Sequence, residues 1–398
     1  MYQKKMQQLG RNRSAIRELF EYGNKRKQEV GSANVYDFSI GNPSVPSPQI
    51  VKETLIHLLE TKDPTLLHGY TSAAGDVKVR QSIADYLNQT YQANVRADYM
   101  YLTSGAAAGL TIGFHAILEE NDEVIVFAPF FPEYQVFVEH TKAKLKIVPF
   151  LPDTFLPDFD MFEKSINEKT KMVLINSPCN PTGVLLDEEQ IQRIASILKQ
   201  KEGTYHHPIY LMSDEPYREL IYNGKDYPFV TRYYDNSLVC YSFSKSLSLP
   251  GERIGYLLVS STCQDGQGVV EAICGAGRAL GFVCAPSLFQ YMIPSCLGYT
   301  ADLKIYQTNR DLFYESLTKI GYAVTKPDGA FYLFVKALEE DAEKFSTYAK
   351  EKYDLLLVPS NSFGYNGYVR ISYCVDTKTI ERSIPIFAKL FDDYQRRK

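Results

Sequence analysis

The stretch VCYSFSKSLSLPGERIGYL, residues 239–257, places a single lysine, Lys245, directly after an apolar run typical of a buried strand. Serines surround this lysine, and a second cation, Arg253, follows a Pro-Gly pair eight residues later. A lysine in a protein interior is unfavourable unless it is paired or takes part in chemistry. The alternative is a surface lysine whose amine reaches solvent along its aliphatic stem. The surrounding sequence has to distinguish these two interpretations.

The stretch belongs to a series of short apolar runs that alternate with helical patterns such as 187–201. Seven runs are candidate strands: 99–103, 122–129, 144–150, 171–178, 208–216, 237–244 and 253–260. Most are continuously apolar, which is typical of strands covered on both faces. Alternating strands and helices indicate an α/β fold. The sequence therefore predicts a mostly parallel, seven-stranded sheet between helices.

The pattern changes after about residue 300. A helical pattern over 302–319 is followed by apolar segments and a second helical pattern over 341–352, which together indicate a smaller α+β unit. The segment VYDFSIGNPSVPSP near the N-terminus has the Gly and Pro content of a connection between units. We therefore predict a large domain over 46–300 and a small domain formed by 1–45 and 301–398.

Composition narrows the class of protein. The 398 residues are 45% hydrophobic and 23% charged, and the net charge is −4, so a basic nucleic-acid-binding surface is not expected. The seven cysteines and six histidines lack metal-site spacing, and free buried thiols are the expectation. The N-terminus has no apolar core of a signal peptide, and no apolar run approaches the roughly 20 residues of a spanning helix. We predict a cytoplasmic protein with no metal and no membrane contact.

Polar clusters follow four of the predicted strands. They are TSGAAAG (103–109), NSPCNPTG (176–183), SDEPY (213–217) and SFSK (242–245). Ligands of doubly wound sheets bind at the carboxyl ends of the strands. The four clusters are therefore expected to meet in one crevice.

The first and last of these clusters have the chemistry of a phosphate site. Small residues at 104–109 let backbone N–H groups approach an anion, and a helix predicted over about 106–119 directs its positive end to the same place. Such a turn is also compatible with simple close packing. Ser242, Ser244 and Arg253 add hydroxyl donors and a fixed cation.

A reactive lysine beside a phosphate site indicates pyridoxal 5'-phosphate (PLP), whose aldehyde a lysine amine can bind. PLP also needs a carboxylate at its pyridine nitrogen. Asp214, at the end of an apolar strand, is placed for this contact. Tyr217 and Asn180 are candidates for hydrogen bonds to the phenolic oxygen of the ring.

NSPCNPTG, SDEPYREL, SFSKSLSLPGERIGY and GYVRISY, in this order, resemble the PLP-dependent aminotransferases of fold type I, class I/II, the aspartate aminotransferase-like group. The resemblance runs from about Asp37 to Ser383. It implies catalytic roles for three residues, with Lys245 as the Schiff-base lysine, Asp214 as the pyridinium partner and Tyr217 at the phenolic oxygen. It implies cofactor contacts for Gly105, Ala106, Ala107, Phe131, Asn180, Asp214, Tyr217, Ser242, Lys245, Arg253 and Tyr70.

The resemblance also implies a substrate site and a dimer. Gly41 matches a turn that lines the substrate site, and Arg370 matches the arginine that binds the substrate α-carboxylate together with Asn180. Tyr70 in HGYTSAAG matches a tyrosine that reaches the phosphate of the neighbouring subunit, so a homodimer with shared active sites is expected. A second cation, needed for an aspartate or glutamate donor, has two candidates, Arg278 and Arg17. For Arg278, capping the end of a helix or pairing across the dimer interface is the favoured alternative.

Two positions depart from the family pattern. Ala106 and Ala107 stand where a hydroxyl residue or a further glycine is common. Phe131 stands where the best-known members stack a tryptophan on the cofactor, and a simple core aromatic is the alternative for this residue. Neither change removes a catalytic group.

The predicted function is transfer of an amino group between an L-amino acid and a 2-oxo acid by a ping-pong mechanism. The closest alternative is a PLP-dependent carbon–sulfur β-lyase, which would share Lys245, Asp214 and Arg370. A PLP-binding regulator is a third class, but such proteins carry an N-terminal DNA-binding domain, and only about 36 residues precede the motif region.

Overall fold

The computed structural model describes residues 2–11 and 14–397. Its strands are β1 Tyr36–Asp37, β2 Met100–Thr103, β3 Glu123–Ala128, β4 Lys144–Pro149, β5 Thr170–Asn176, β6 Tyr210–Asp214, β7 Ser237–Ser242, β8 Gly255–Val259, β9 Val324–Thr325, β10 Tyr332–Lys336, β11 Leu355–Leu356, β12 Val358–Pro359 and β13 Tyr368–Ser372. Its α-helices are α1 Lys4–Arg11, α2 Ala15–Val30, α3 Gln49–Thr61, α4 Pro64–His68, α5 Val77–Tyr91, α6 Ala106–Ile117, α7 Glu133–His140, α8 Phe159–Ser165, α9 Glu188–Tyr205, α10 Phe243–Ser246, α11 Gly266–Leu280, α12 Ser287–Cys296, α13 Leu303–Ile320, α14 Ala342–Tyr353 and α15 Thr377–Gln395.

The central sheet has seven strands in the order β2-β8-β7-β6-β5-β3-β4. Strand β8 is antiparallel to both of its neighbours, and the remaining pairs are parallel. All seven strands coincide with the runs predicted from the sequence. The prediction of a mostly parallel, seven-stranded sheet between helices is therefore confirmed.

The continuous apolar runs reflect burial on both faces of this sheet. In β5, Met172 and Leu174 pack in the hydrophobic cluster that includes residues of α6 and α11, whereas Val173 and Ile175 pack in the cluster that includes residues of α5 and α9. Successive side chains of a strand point to opposite faces, so every position of such a strand has to be apolar.

Local signals fix where two of the covering helices begin. Asp187 and Gln190 form a capping box at the start of α9, in which each side chain accepts a hydrogen bond from the backbone N–H of the other residue. Gly105 precedes α6 with φ +80°, a backbone conformation that side-chain-bearing residues rarely adopt. The turn from β2 into α6 therefore depends on glycine.

The C-terminal part forms a second sheet in the order β12-β13-β10-β9, with antiparallel pairing throughout. The N-terminal segment joins this part, because β1 pairs with β11 and Leu19 of α2 packs on Val358 and Phe363. These contacts agree with the smaller α+β unit of the predicted fold class. The domain division at residues 46 and 300 stays a prediction.

All seven cysteines are free thiols, and five of them are buried. Within 2–11 and 14–397, no group of three or more His, Cys, Asp or Glu side chains is arranged to hold a metal ion. In the same described ranges, the helices are too short or too polar to cross a membrane. The cytoplasmic location stays a prediction.

Candidate active site

The four polar clusters meet at one edge of the central sheet. Strands β2, β5, β6 and β7 run in the same direction, so the residues that follow them lie side by side. They line a cavity of about 310 Å³ together with residues of the smaller unit. The predicted site residues on its wall are Gly41, Ala106, Ala107, Phe131, Asn180, Asp214, Tyr217, Ser242, Ser244, Lys245, Arg253 and Arg370.

Lys245 lies in α10, the single helical turn that follows β7. Its Nζ donates a hydrogen bond of 2.7 Å to the carbonyl oxygen of Gly41. Burial lowers the pKa of Lys245 to about 8, and the charges of Arg370 and Arg253 act in the same direction. The amine is therefore partly unprotonated near neutral pH, the state that a nucleophile or a base requires.

Asp214 ends strand β6 and is 5% exposed. Its Oδ2 accepts a hydrogen bond of 2.6 Å from the Tyr134 hydroxyl, whereas its buried Oδ1 has no partner among the residues that the structure describes. Burial raises the pKa of Asp214 to about 7; the Tyr134 hydrogen bond lowers it, and the charge of Glu215 raises it. A buried carboxyl oxygen without a partner is costly, and a cationic N–H donor in the cavity would satisfy it.

The start of α6 and the segment after β7 form a cradle of anion-binding groups. The hydroxyls of Ser242 and Ser244 are 2.7 Å apart, and Ser244 lines the cavity beside Arg253. The Arg253 guanidinium lies against Gly105, where an added Cβ would be 2.7 Å from Nη2. A fixed cation, two hydroxyls and the N-terminus of a helix therefore converge, as binding of a phosphate group requires.

Arg370, in β13, is almost fully buried and extends toward the loop that follows β5. Its Nη1 donates to Asn180 Oδ1 at 3.0 Å, its Nη2 donates to the carbonyl oxygen of Ser39, and its Nε has no partner among the described residues. The Tyr332 ring lies 4.6 Å from the guanidinium. No carboxylate neutralises Arg370 within the described chain, so a ligand carboxylate is the anion that its position favours.

Tyr217 is buried, and its hydroxyl lies 2.9 Å from the hydroxyl of Tyr332. The Phe131 ring lies on the cavity wall and makes an edge contact with Tyr134 at 5.6 Å. Gly41 contacts Tyr332 so closely that an added Cβ would overlap the hydroxyl. These residues bring both parts of the fold to the same cavity.

Four candidates are not on the cavity wall. Gly105 lies directly behind it, against the Arg253 guanidinium, and the other three are on the surface of the single chain. Tyr70 is 98% exposed, Arg278 is exposed in the last turn of α11, and Arg17 is exposed and lies 3.8 Å from Glu21. A larger open groove of about 1180 Å³ contains none of the predicted site residues.

Sequence reasoning missed Tyr134, Tyr332 and Asn176, which all line the cavity. Tyr134 follows Phe131 by three residues, a helical spacing that offers a weak local signal. Asn176 lies within the NSPCNPTG motif and donates to the backbone oxygen of Asp214 at 2.8 Å. Tyr332 contacts residues more than 100 positions away, and no local pattern indicates this.

Comparison with known proteins identifies the family of the chain. Residues 33–385 match the family model described as Aminotransferase class I and II. The chain is 31% identical over 376 residues to an aspartate aminotransferase of Pyrococcus horikoshii, a match that covers 92% of each chain.

Solved structures give the same result. An amino transferase from Eubacterium rectale is 54% identical, with a TM-score of 0.97 and 99% of each chain covered. An aspartate aminotransferase from Thermotoga maritima is 26% identical, with a TM-score of 0.87, covering 98% of this chain and 100% of that one. These relatives favour transamination over the carbon–sulfur lyase alternative. The chain therefore belongs to the class I and II aminotransferase family and is a transaminase.

Proposed function

We propose that this transaminase uses pyridoxal 5'-phosphate, bound in the cavity between Lys245 and Asp214. The observation that carries the proposal is the unpartnered, buried Oδ1 of Asp214, which lines the same cavity as a lysine whose pKa is lowered to about 8. A pyridinium N–H would satisfy the free oxygen of Asp214, and the amine of Lys245 would hold the aldehyde. When bound, PLP supplies an aldehyde for the amino group and an electron sink for the electrons of the substrate Cα.

The remaining cofactor contacts follow from the groups on the cavity wall. The phosphate is assigned to the cradle formed by Ser242, Ser244, Arg253 and the amides at Ala106 and Ala107. Because these donors are held at the end of β7, before β8 and at the start of α6, a bound phosphate would need no further ordering of the chain.

The rest of the ring is assigned to Phe131, Asn180 and Tyr217, which also line the cavity. Phe131 would supply an aromatic face for the ring. Asn180 and Tyr217 would supply hydrogen-bond donors for its phenolic oxygen. The Asn180 Oδ1 already accepts from Arg370, so its Nδ2 protons are available for this contact.

Lys245 is the base of the reaction. With PLP bound, its Nζ would take the proton from the substrate Cα, the carbon that loses the nitrogen, and would hold it for return to the carbon that keeps the nitrogen. A positively charged ring nitrogen beside Asp214 would favour the ionised carboxylate, which would in turn stabilise that charge. Arg370 binds the substrate α-carboxylate and so fixes which Cα bond faces Lys245.

We infer that the donor is aspartate or glutamate, because two of the relatives are aspartate aminotransferases and both amino acids carry a distal carboxylate. The distal carboxylate then requires a second cation, for which Arg278 and Arg17 are the candidates. The purified enzyme mixed with single amino acids identifies the donor, because the amino acid that most rapidly bleaches the visible cofactor band is the substrate.

A homodimer with shared active sites is also proposed, from the surface around Tyr70. The loop that carries this exposed tyrosine is held to the segment after α11 by a hydrogen bond of 3.2 Å from Cys284 N to Ala73 O. That segment exposes Phe282 and Val283, at 40% and 41%, and Leu66 is 65% exposed. Exposed apolar surface of this kind is typical of an interface.

The proposed function is tested with Lys245→Ala. We expect a folded protein that retains no borohydride-reducible covalent adduct with PLP and has no transaminase turnover. Retention of such an adduct would remove Lys245 from its role.

A second experiment distinguishes transamination from lyase activity. Turnover that depends on a 2-oxo acid is compared with the release of pyruvate from cystathionine.

A further inference from the structure

Tyr332 contacts three of the residues assigned to the site. It begins strand β10, is 2% exposed and lines the cavity. Its hydroxyl lies 2.9 Å from the Tyr217 hydroxyl, its ring lies 4.6 Å from the Arg370 guanidinium, and its hydroxyl fills the space that a Cβ on Gly41 would need. We propose that Tyr332 is a positioning residue that donates its hydroxyl proton to Tyr217, and that this donation directs the proton of Tyr217 to the cofactor.

The direction of the hydrogen bond follows from the number of protons. A tyrosine hydroxyl has one proton to donate and can accept a second hydrogen bond at the same oxygen. The assignment rests on the proposed function, in which Tyr217 donates to the phenolic oxygen of PLP. If that proton is committed to PLP, the proton between the two tyrosines belongs to Tyr332.

Both hydroxyls of the pair carry a proton. Burial raises the pKa of both hydroxyls, that of Tyr332 to about 12 and that of Tyr217 well above its usual value, so both stay protonated near neutral pH. The Arg370 guanidinium opposes the rise for both hydroxyls. Each tyrosine therefore has one proton to donate, and the direction of the hydrogen bond depends on which proton is committed to another acceptor.

The donation has a measurable consequence at the cofactor. A hydroxyl that accepts a hydrogen bond is polarised and becomes a stronger donor. Tyr332 therefore strengthens the stabilisation of the phenolate by Tyr217. Tyr332 thereby lowers the pKa of the cofactor that is bound to Lys245. Loss of the cofactor proton changes the visible absorbance, which reports this pKa.

The test is a spectroscopic pH titration of the PLP-loaded enzyme, in wild type and in Tyr332→Phe. The substitution removes the hydroxyl and keeps the ring beside Arg370. We expect the pKa of the visible band to rise by about 0.3–1 unit. The matched control is Tyr373→Phe, which removes a buried hydroxyl at the end of β13 that donates to Ala330 O at 3.1 Å, outside the cavity. We expect this control to leave the titration unchanged.

A double-mutant comparison separates this role from a general loss of packing. In a Tyr217→Phe background, Tyr332→Phe should cause no further shift, because its acceptor is gone. An equal shift in both backgrounds, or no shift in wild type, would overturn the assignment. The absence of a visible band in the wild-type enzyme would instead overturn the proposed function, and the assignment with it. Thermal unfolding of the cofactor-free variants shows that each is folded.

Discussion

Replacement of Asp214 by asparagine should stabilise the cofactor-free protein at alkaline pH while it weakens PLP binding. Burial raises the pKa of Asp214 from 3.8 to about 7 in the folded protein. Between these two values the folded protein keeps a proton that the unfolded chain has released, so stability falls as the pH rises. A difference of three pKa units corresponds to about 4 kcal/mol in the free energy of unfolding. The folded protein has lost this amount fully above pH 7.

Asparagine has the shape of aspartate and no charge. Its side-chain oxygen can still accept the hydrogen bond of Tyr134, so the packing around the site is preserved. The expected gain is therefore about 4 kcal/mol at pH 8.5 and close to zero at pH 4. An unfolding entropy of about 2.1 cal/mol/K per residue converts this to a rise of about 5 °C in Tm at pH 8.5.

The assay compares the Tm of cofactor-free wild type and Asp214→Asn from pH 4 to pH 8.5, at one scan rate, because a chain of this size need not unfold in a single reversible step. Asp85→Asn, a substitution of an exposed carboxylate, serves as the control and should show no pH-dependent gain. A Tm difference that is the same at both ends of the range, or a destabilised variant at pH 8.5, would refute the reasoning from burial.

Four further outcomes are expected. Lys245→Met should stabilise the cofactor-free protein by about 3 kcal/mol below pH 8 and give no gain above pH 10.5, because folding lowers the pKa of Lys245. Measurement of Tm against pH checks this. Tyr134→Phe should weaken PLP binding about tenfold or more by removing a hydrogen bond to the charged Asp214, and equilibrium titration that shows unchanged affinity would contradict it. Mixed dimers of Lys245→Ala and Tyr70→Phe protomers should recover activity through one intact site, and failure after proven subunit exchange would argue against shared sites. Arg278→Ala should weaken the binding of aspartate or glutamate by about 2–5 kcal/mol, measured as a higher KM, and spare alanine, whereas an equal effect on all donors would make Arg278 structural.

Local sequence determined the central sheet and the residues at its strand ends. The apolar runs could be recognised because a strand buried on both faces must be apolar throughout, as in β5. The positions of Asn180, Asp214 and Lys245 followed from the rule that the carboxyl ends of parallel strands meet at one edge. The motifs around them also carried the family resemblance, so the reaction class was predictable before any contact was known.

Only the tertiary structure decided how the smaller unit completes the cavity. The hydrogen bond from Lys245 to Gly41 spans 204 residues, and that between Tyr217 and Tyr332 spans 115. Such contacts depend on how the C-terminal sheet packs against the central one. The periodicity of hydrophobic residues and the local spacing of motifs do not predict that packing. The same limit explains why Tyr134 was missed: its role arises from a hydrogen bond to Asp214, which is 80 residues away in sequence.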